Sequence, residues 1–338
     1  MKRYILAFLS LLMVIGLLLS AACAPAEAPV VPPPEPLPSE VPSEPPAPPP
    51  ELEEPLPSFP LTVVDDLGRT IEIEKLPQRV ISLSPGNTEI LFALGLDDEI
   101  VGVTAYCNYP EAAKTKPRVG GYYPPDIEKI VSLEPDLVFA DAIHEKAVLP
   151  ALEDVGLTVV ANAAESVDAV LHDITLMGQI MGKSRRASQL VADLTQRIEV
   201  ITAKTGALIS EQRPRVLYVC WHDPIWTQGS KTFIDDLIGK AGGMNIASDF
   251  EKSRIISLEA VVARNPQVIA VSGMGTTRGL IFSSIKNESR LRGTEAIVKG
   301  QVYEIDSDLI DRPGPRIVDA LEQVAKFIHP EIFGQPDK

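Results

Sequence analysis

Between Ser184 and Ser210 the chain reads SRRASQLVADLTQRIEVITAKTGALIS. Ala187, Leu190, Val191, Leu194, Ile198, Ile201 and Leu208 recur there at three-to-four spacing, which on a helix makes a single apolar stripe. Ser184, behind Gly182-Lys183, suits the N-cap, and Pro214 bars continuation past the far end. At 1.5 Å per residue such a helix is roughly 40 Å long, the width of a small domain. On both sides of it the pattern changes to short apolar strands alternating with short helices. The expectation is a strut joining two α/β lobes, each βα-alternating with a mostly parallel sheet.

The alternation is explicit. After a hairpin of Leu61–Val64 with Thr70–Ile73, the first half places strands at Arg79–Leu83, Ile100–Thr104, Leu137–Ala140 and Leu157–Ala161. The second half places them at Val216–Cys220, Val268–Ser272 and Val302–Ile305. The halves echo each other. Ile127-Glu128-Lys129-Ile130-Val131 before Pro135-Asp136-Leu137-Val138 matches Leu258-Glu259-Ala260-Val261-Val262 before Pro266-Gln267-Val268-Ile269, at a constant offset of 131 residues. A repeated helix, proline and buried strand points to pseudo-symmetric lobes.

Ahead of the folded part, Lys2-Arg3 precede an apolar run, Tyr4–Leu19, too short for a stable membrane span. It ends Leu19-Ser20-Ala21-Ala22-Cys23, small residues before a lone cysteine, as in the lipobox of bacterial lipoproteins, although Leu19 stands one place further out than usual. From Cys23 to Pro60 the chain is rich in proline and carries seven Glu with no Lys or Arg, so it has almost nothing to bury. The expected organisation is a lipoprotein signal peptide over 1–22, a disordered Pro/Glu-rich tether over 23–60 and a binding domain over 61–338. Within that domain, lobe 1 covers 61–165, linking helices 166–211 and lobe 2 212–338. A lipidated Cys23 would anchor the protein outside the cytoplasm, at the cell surface or in the periplasm. The net charge of −15 argues against nucleic acid as a partner. Three widely spaced cysteines give neither a disulfide framework nor a zinc site.

In open α/β sheets ligands bind beyond the carboxyl ends of the strands. Four of the seven tyrosines, Tyr106, Tyr109, Tyr122 and Tyr123, fall in one such loop system of the first half, and both tryptophans, Trp221 and Trp226, in one loop of the second. A cleft walled by these rings suits a bulky, partly apolar ligand. Ser84-Pro85-Gly86-Asn87 joins strand to helix, where Ser84 and Asn87 could meet a polar or anionic ligand group, or simply cap the turn. Four histidines are too few for a His-rich metal site, and His144 and His222 are the only plausible axial ligands. Cys220-Trp221-His222-Asp223 is the one grouping that admits an extracytoplasmic enzyme. Glu128 and Glu259 sit in first helical turns, where the helix dipole favours carboxylates. At equivalent places on two lobes they could also dock on a symmetric partner.

Arg79-Val-Ile-Ser-Leu-Ser-Pro-Gly-Asn-Thr-Glu-Ile-Leu-Phe-Ala-Leu-Gly, Val101-Gly-Val-Thr-Ala-Tyr-Cys-Asn-Tyr-Pro, Pro135-Asp-Leu-Val and Arg312-Pro-Gly-Pro-Arg316-Ile resemble the periplasmic binding proteins for cobalamin and iron-siderophores, closest to the cobalamin binders. The resemblance spans roughly Leu76 to Pro330. It implies the helical-backbone fold, ligand capture between two lobes and delivery to the permease and ATPase subunits of an ABC importer. It also implies a monomer, no catalytic residues and no cofactor beyond the bound ligand. Tyr106 matches an aromatic of the cobalamin cleft, and Tyr122 stands where those proteins carry Trp against the corrin. Asp311-Arg312 matches an acidic-basic pair beside the ligand. Glu128 and Glu259 match the glutamates that pair with arginines of the membrane subunits. The sequence departs from the group at Asp141 and Ser253, where it carries Trp. Lys231, Arg278 and Arg312 would equally serve a carboxylate-bearing iron chelate, and haem would need Met274 or a histidine. The expected ligand is therefore cobalamin or another corrinoid, with a ferric siderophore or haem as the alternative.

Overall fold

The computed structural model describes residues 57–273, 277 and 279–336. Cys23, with the signal and tether segments up to Leu56, and Met274 and Arg278 lie outside the described residues. The chain runs through β1 (Leu61–Val64), β2 (Thr70–Ile73), β3 (Val80–Ser82), α1 (Pro85–Ala93), β4 (Ile100–Val103), α2 (Ile127–Ser132), β5 (Leu137–Asp141), α3 (Val148–Asp154) and β6 (Val159–Asn162). Two linking helices follow, α4 (Val167–Ile180) and α5 (Ser184–Thr205). The second lobe holds β7 (Arg215–Val219), β8 (Trp226–Gln228), α6 (Phe233–Lys240), β9 (Met244–Asn245), β10 (Ser253–Ile255), α7 (Leu258–Arg264), β11 (Val268–Gly273), α8 (Leu280–Asn287), α9 (Glu295–Lys299), β12 (Val302–Asp306), α10 (Ser307–Ile310), α11 (Ile317–Ile328) and α12 (Pro330–Phe333).

Each lobe carries a four-stranded parallel sheet, in the order β4-β3-β5-β6 and β9-β7-β11-β12. Read from β3 and β7, these orders are identical, as the internal echo requires. The likeness reaches single residues. Asp126 and Ser257 cap α2 and α7, and Glu134 and Asn265 leave these helices in the left-handed region (φ 46° and 45°). The Arg79 guanidinium donates to the last carbonyls of α2, at Leu133 and Glu134, and the Arg215 guanidinium to those of α7, at Arg264 and Asn265. The backbone N–H groups of Arg79 and Arg215 donate in turn to the side chains of Asp136 and Gln267. Two independent turns would not converge on this set.

The long helix is 22 residues, about 33 Å, and shorter than its apolar stripe suggests. It ends at Thr205 because Gly206 is a poor helix former and the Arg213 side chain captures the carbonyls of Thr205 and Leu208, at 2.9 and 3.3 Å. At its start, Ser184 is already inside the helix and Lys183 holds the cap position without a side-chain bond, which corrects the N-cap expected there. The helix does act as a strut. Arg186 reaches the Ala93 carbonyl of α1, Arg197 pairs with Asp319 and Glu322 of α11, and Thr205 donates to the Lys240 carbonyl at the end of α6. A Cβ on Gly178 of α4 would fall 2.4 Å from the Ala187 Cβ, so glycine allows the two linking helices to touch. One apolar core runs from Val80 and Phe139 through Ile174, Met177 and Ile198 to Tyr218 and Leu321, tying both lobes to the linking helices. Smaller clusters fill the outer face of each sheet. Among the described residues no helix is long and apolar enough to cross a membrane.

Candidate functional site

The loops beyond the carboxyl ends of both sheets carry the aromatic side chains. Tyr106, Tyr109, Tyr123, Trp221 and Trp226 are exposed, and among the described residues no other Phe, Tyr or Trp is. Solvent-facing rings confined to two loop systems mark a binding surface rather than scattered surface apolarity.

On the first lobe the loop after β4 is fixed from below. The Cys107 thiol is buried against the hydroxyls of Thr88 and Thr104, at 3.1 and 3.2 Å, and the Arg118 guanidinium donates to the carbonyls of Thr104 and Cys107. Tyr122 is held at three points. Its hydroxyl bonds the Asp141 carboxylate, its carbonyl accepts from His144 Nε2 at 2.7 Å, and its ring meets the imidazole edge-on at 5.5 Å. Burial, and behind it the Asp141 charge, pushes the Tyr122 phenol up, so it stays a donor. His144 is fully buried, and its Nδ1 accepts the Asp141 N–H at 3.0 Å, which leaves the proton on Nε2. Both ring nitrogens are occupied. The expectation that His144 could ligate a metal is corrected: it braces the wall instead.

On the second lobe the chain doubles back after β7. Trp221 and Trp226 face each other across an antiparallel bridge, closed by the Trp226 N–H to the Trp221 carbonyl at 3.0 Å. Ile255 of β10 lies opposite Trp226 in the β8–β10 ladder. Directly opposed residues share a face of the sheet, so Trp221, Trp226 and Ile255 form one exposed platform. His222 lies in the connecting turn with Nε2 3.7 Å from Glu288. Among the described residues no cluster of three or more His, Cys, Asp or Glu is placed to hold a metal ion.

Other expected ligand groups are already engaged. Ser84 and Asn87 are buried. The Ser84 hydroxyl accepts the Asn87 N–H, and the Asn87 amide bonds the Ala140 carbonyl and the Asn162 side chain. This turn is a capped structural junction, which corrects its placement at the ligand. Asp311 accepts from the hydroxyls of Tyr218 and Ser272, and burial pushes its carboxyl up to about 6. Arg312 is spent on Asn108 and Asp308. Lys231 pairs with Glu251 at 2.8 Å. Asp141 belongs to the Tyr122 wall, and Ser253 stands exposed in β10 opposite Gln228. Glu128 and Glu259 are exposed at corresponding positions of α2 and α7.

A family model described as periplasmic binding protein matches residues 80–309. The chain belongs to the periplasmic binding protein family. A Bacillus subtilis relative, named as the uncharacterized ABC transporter substrate-binding lipoprotein YvrC, is 32% identical over 283 residues, covering 81% of this chain and 87% of its own length. A Halobacterium salinarum cobalamin-binding protein is 31% identical over 280 residues, covering 80% of this chain and 75% of its own. Among solved structures, a periplasmic heme binding protein from Pseudomonas aeruginosa superposes with a TM-score of 0.68 at 27% identity, covering 75% of this chain and 94% of its own.

The protein is thus a substrate-binding protein of an ABC importer, of the class that delivers to a permease and its ATPase subunits. In this periplasmic binding protein the Cys220 thiol is pushed up to about 12, first by burial and then by the Asp311 charge. It is a neutral thiol at physiological pH, and its neighbour His222 turns to Glu288 instead. Cys107 and Cys220 are both unpaired. Three participants escaped sequence reasoning. Ile255 lies in a three-residue strand too short to show alternation. Glu89 and Arg316 pair across 227 residues, and the only local signal is a lone charged residue in helix α1.

Proposed function

We propose that this protein captures a corrinoid such as cobalamin in the cleft between its lobes and presents it to the permease. The observation that carries the reading is the pair of aromatic walls: Tyr106, Tyr122 and Tyr123 on the first lobe, and Trp221, Trp226 and Ile255 on the second. A corrin ring is broad, largely apolar on its faces and polar at its rim, and it gains most from flat rings already held in place. The cobalamin-binding relative supports the same ligand class. A carboxylate-rich ferric siderophore would need free cations, and among the described candidates Lys231 and Arg312 are both engaged. Of the axial candidates for haem, the two histidines, His144 and His222, both have other partners.

In this reading Cys23 bears the lipid anchor, the Pro/Glu-rich segment is a tether of up to ~100 Å, and the protein acts outside the cytoplasm as a monomer. It captures without turnover, since Cys220 offers no thiolate. The exposed carboxylates of Glu128 and Glu259 dock on basic groups of a two-fold permease. Calorimetric titration with cyanocobalamin, ferric hydroxamate siderophore and haem in parallel tests the assignment. Saturable binding of cyanocobalamin alone is expected. Preference for either iron ligand would overturn the corrinoid assignment while leaving the transport role.

A further inference from the structure

The loop that carries Tyr106 and Tyr109 is gripped from both lobes. Its inner half is held by Arg118 and Cys107 of its own lobe. Its outer half is held from across the cleft. The Arg312 Nη1 donates to Asn108 Oδ1 at 2.6 Å, and Asn108 Nδ2 donates to Asp308 Oδ2 at 2.7 Å. Arg312 Nη2 closes the triangle on Asp308. Beside it, the Arg316 guanidinium binds Glu89 of α1 in bidentate fashion, Nε to Oε2 at 2.9 Å and Nη2 to Oε1 at 2.5 Å, and Nη2 also reaches the Asp308 carbonyl. The same guanidinium lies over the Tyr109 ring, 3.9 Å from its centroid. Glu89 is 4% exposed, so its carboxylate sits where water cannot replace the Arg316 guanidinium. Backbone closes the seam, since a Cβ on Gly86 would fall 2.4 Å from the Pro313 carbonyl oxygen.

We infer that Arg312 and Arg316 are positioning residues, through which the second lobe sets the aromatic loop of the first, so that the ligand-facing wall is complete only while the lobes are clasped. The inference rests on the cleft being the ligand site. It differs from the bare transport reading in making Tyr109 a dual element, with one ring face against Arg316 and 46% of its surface still exposed. It also removes Arg312 from ligand contact. Bidentate geometry and burial make the clasp selective for arginine, because lysine offers a single point charge.

The test is a double variant, Glu89→Gln with Arg316→Met, which leaves no buried charge unpaired. Cyanocobalamin affinity is expected to fall roughly tenfold through faster dissociation. Tyr106→Ala should cost the unmodified protein roughly tenfold but the double variant less than about twofold, the non-additivity expected of a loop no longer in place. Spin labels at Lys146→Cys and Leu280→Cys in a Cys220→Ser background should give a longer and broader interlobe distance distribution in the double variant, with no ligand present. Equal costs of Tyr106→Ala in both backgrounds, with an unchanged distance distribution, would overturn the inference. Should the double variant fail to fold, Asn108→Ala breaks one arm of the clasp without exposing a charge pair, and the same cycle applies. If the unmodified protein binds none of the three candidate ligands, the ligand reading falls by itself, and the ligand-free distance measurement then decides the clasp.

Discussion

At the amino ends of their sheets the two lobes are built alike. The same arginine caps the same helix, at Arg79 and Arg215, and the same residue turns left-handed, at Glu134 and Asn265. At the carboxyl ends the first turns of α2 and α7 still match, but the loops around them differ. The first lobe braces a tyrosine from behind with a buried His144 and Asp141, whereas the second lays Trp221, Trp226 and Ile255 across a short antiparallel ribbon held by backbone bonds. A shared helix frame and unlike loops suit different tasks. The matching first turns of α2 and α7 expose Glu128 and Glu259 at equivalent positions, as the proposed docking on a two-fold partner would need. Dissimilar walls would suit the proposed ligand, which has no two-fold symmetry. In α/β folds the strand carboxyl ends are where loops vary and ligands bind, and the opposite ends serve stability.

The two walls should therefore fail differently. Trp226→Ala removes the middle of the second-lobe platform, with little behind it to collapse. Corrinoid affinity is expected to fall roughly 100-fold, about 2–3 kcal/mol, while the thermal midpoint moves little; calorimetry beside scanning calorimetry checks both halves. His144→Phe attacks the first wall through its support. It leaves the Asp141 N–H and the Tyr122 carbonyl without their partner, at a cost of about 2 kcal/mol in stability. The urea midpoint should drop, and affinity should fall with it. A His144→Phe protein of undiminished stability would show that the two walls are equally unbraced. On the matching first turns of α2 and α7, Glu128→Ala and Glu259→Ala should each weaken vesicle uptake severalfold and together about tenfold, with ligand affinity unchanged. Strongly unequal single effects would break the equivalence of the lobes.

The regular parts of this architecture were legible because they are local. The 131-residue echo predicts paired helices and strands, and the structure matches it down to the caps. The aromatic loops stood out because rings are scarce elsewhere. What escaped is non-local or competitive. The stripe through Leu208 suggests a longer helix, but Gly206 and Arg213 stop it at Thr205. Asn87 reads as a ligand donor until β5 and β6 bring the Ala140 carbonyl and Asn162 against it. Arg312 reads as a ligand cation until the fold carries Asn108 and Asp308 to it, the first across 204 residues. Polar residues near a predicted cleft are read as free because their partners are far away in sequence.

Two acids raised by burial, Asp173 behind the first lobe and Asp311 in the second, differ in a way that pH can separate. Asp173 of α4 packs behind the first lobe beside Asp66. Burial, followed by the Asp66 charge, raises it to about 9. Asp311 of the second lobe is raised only to about 6, because Tyr218, Ser272 and Arg312 favour its charged form. An unfolded aspartate titrates near ~4. A carboxyl raised by folding contributes stability that is full below that value and is lost as pH climbs through the folded value. For Asp311 the loss is nearly complete by about pH 7, whereas for Asp173 it continues to about pH 9. Between pH 7 and 9 Asp173 should therefore lower stability by up to about 1 kcal/mol per pH unit. Asp173→Asn, whose amide can still donate to Asp66, should raise the thermal midpoint by a few degrees at pH 8. The gap over the unmodified protein should widen towards pH 9, whereas the gap for Asp311→Asn stays constant. Parallel midpoint curves for all three proteins over that range would mean that Asp173 is already ionised at neutral pH, and that the first lobe bears its buried acid no differently from the second.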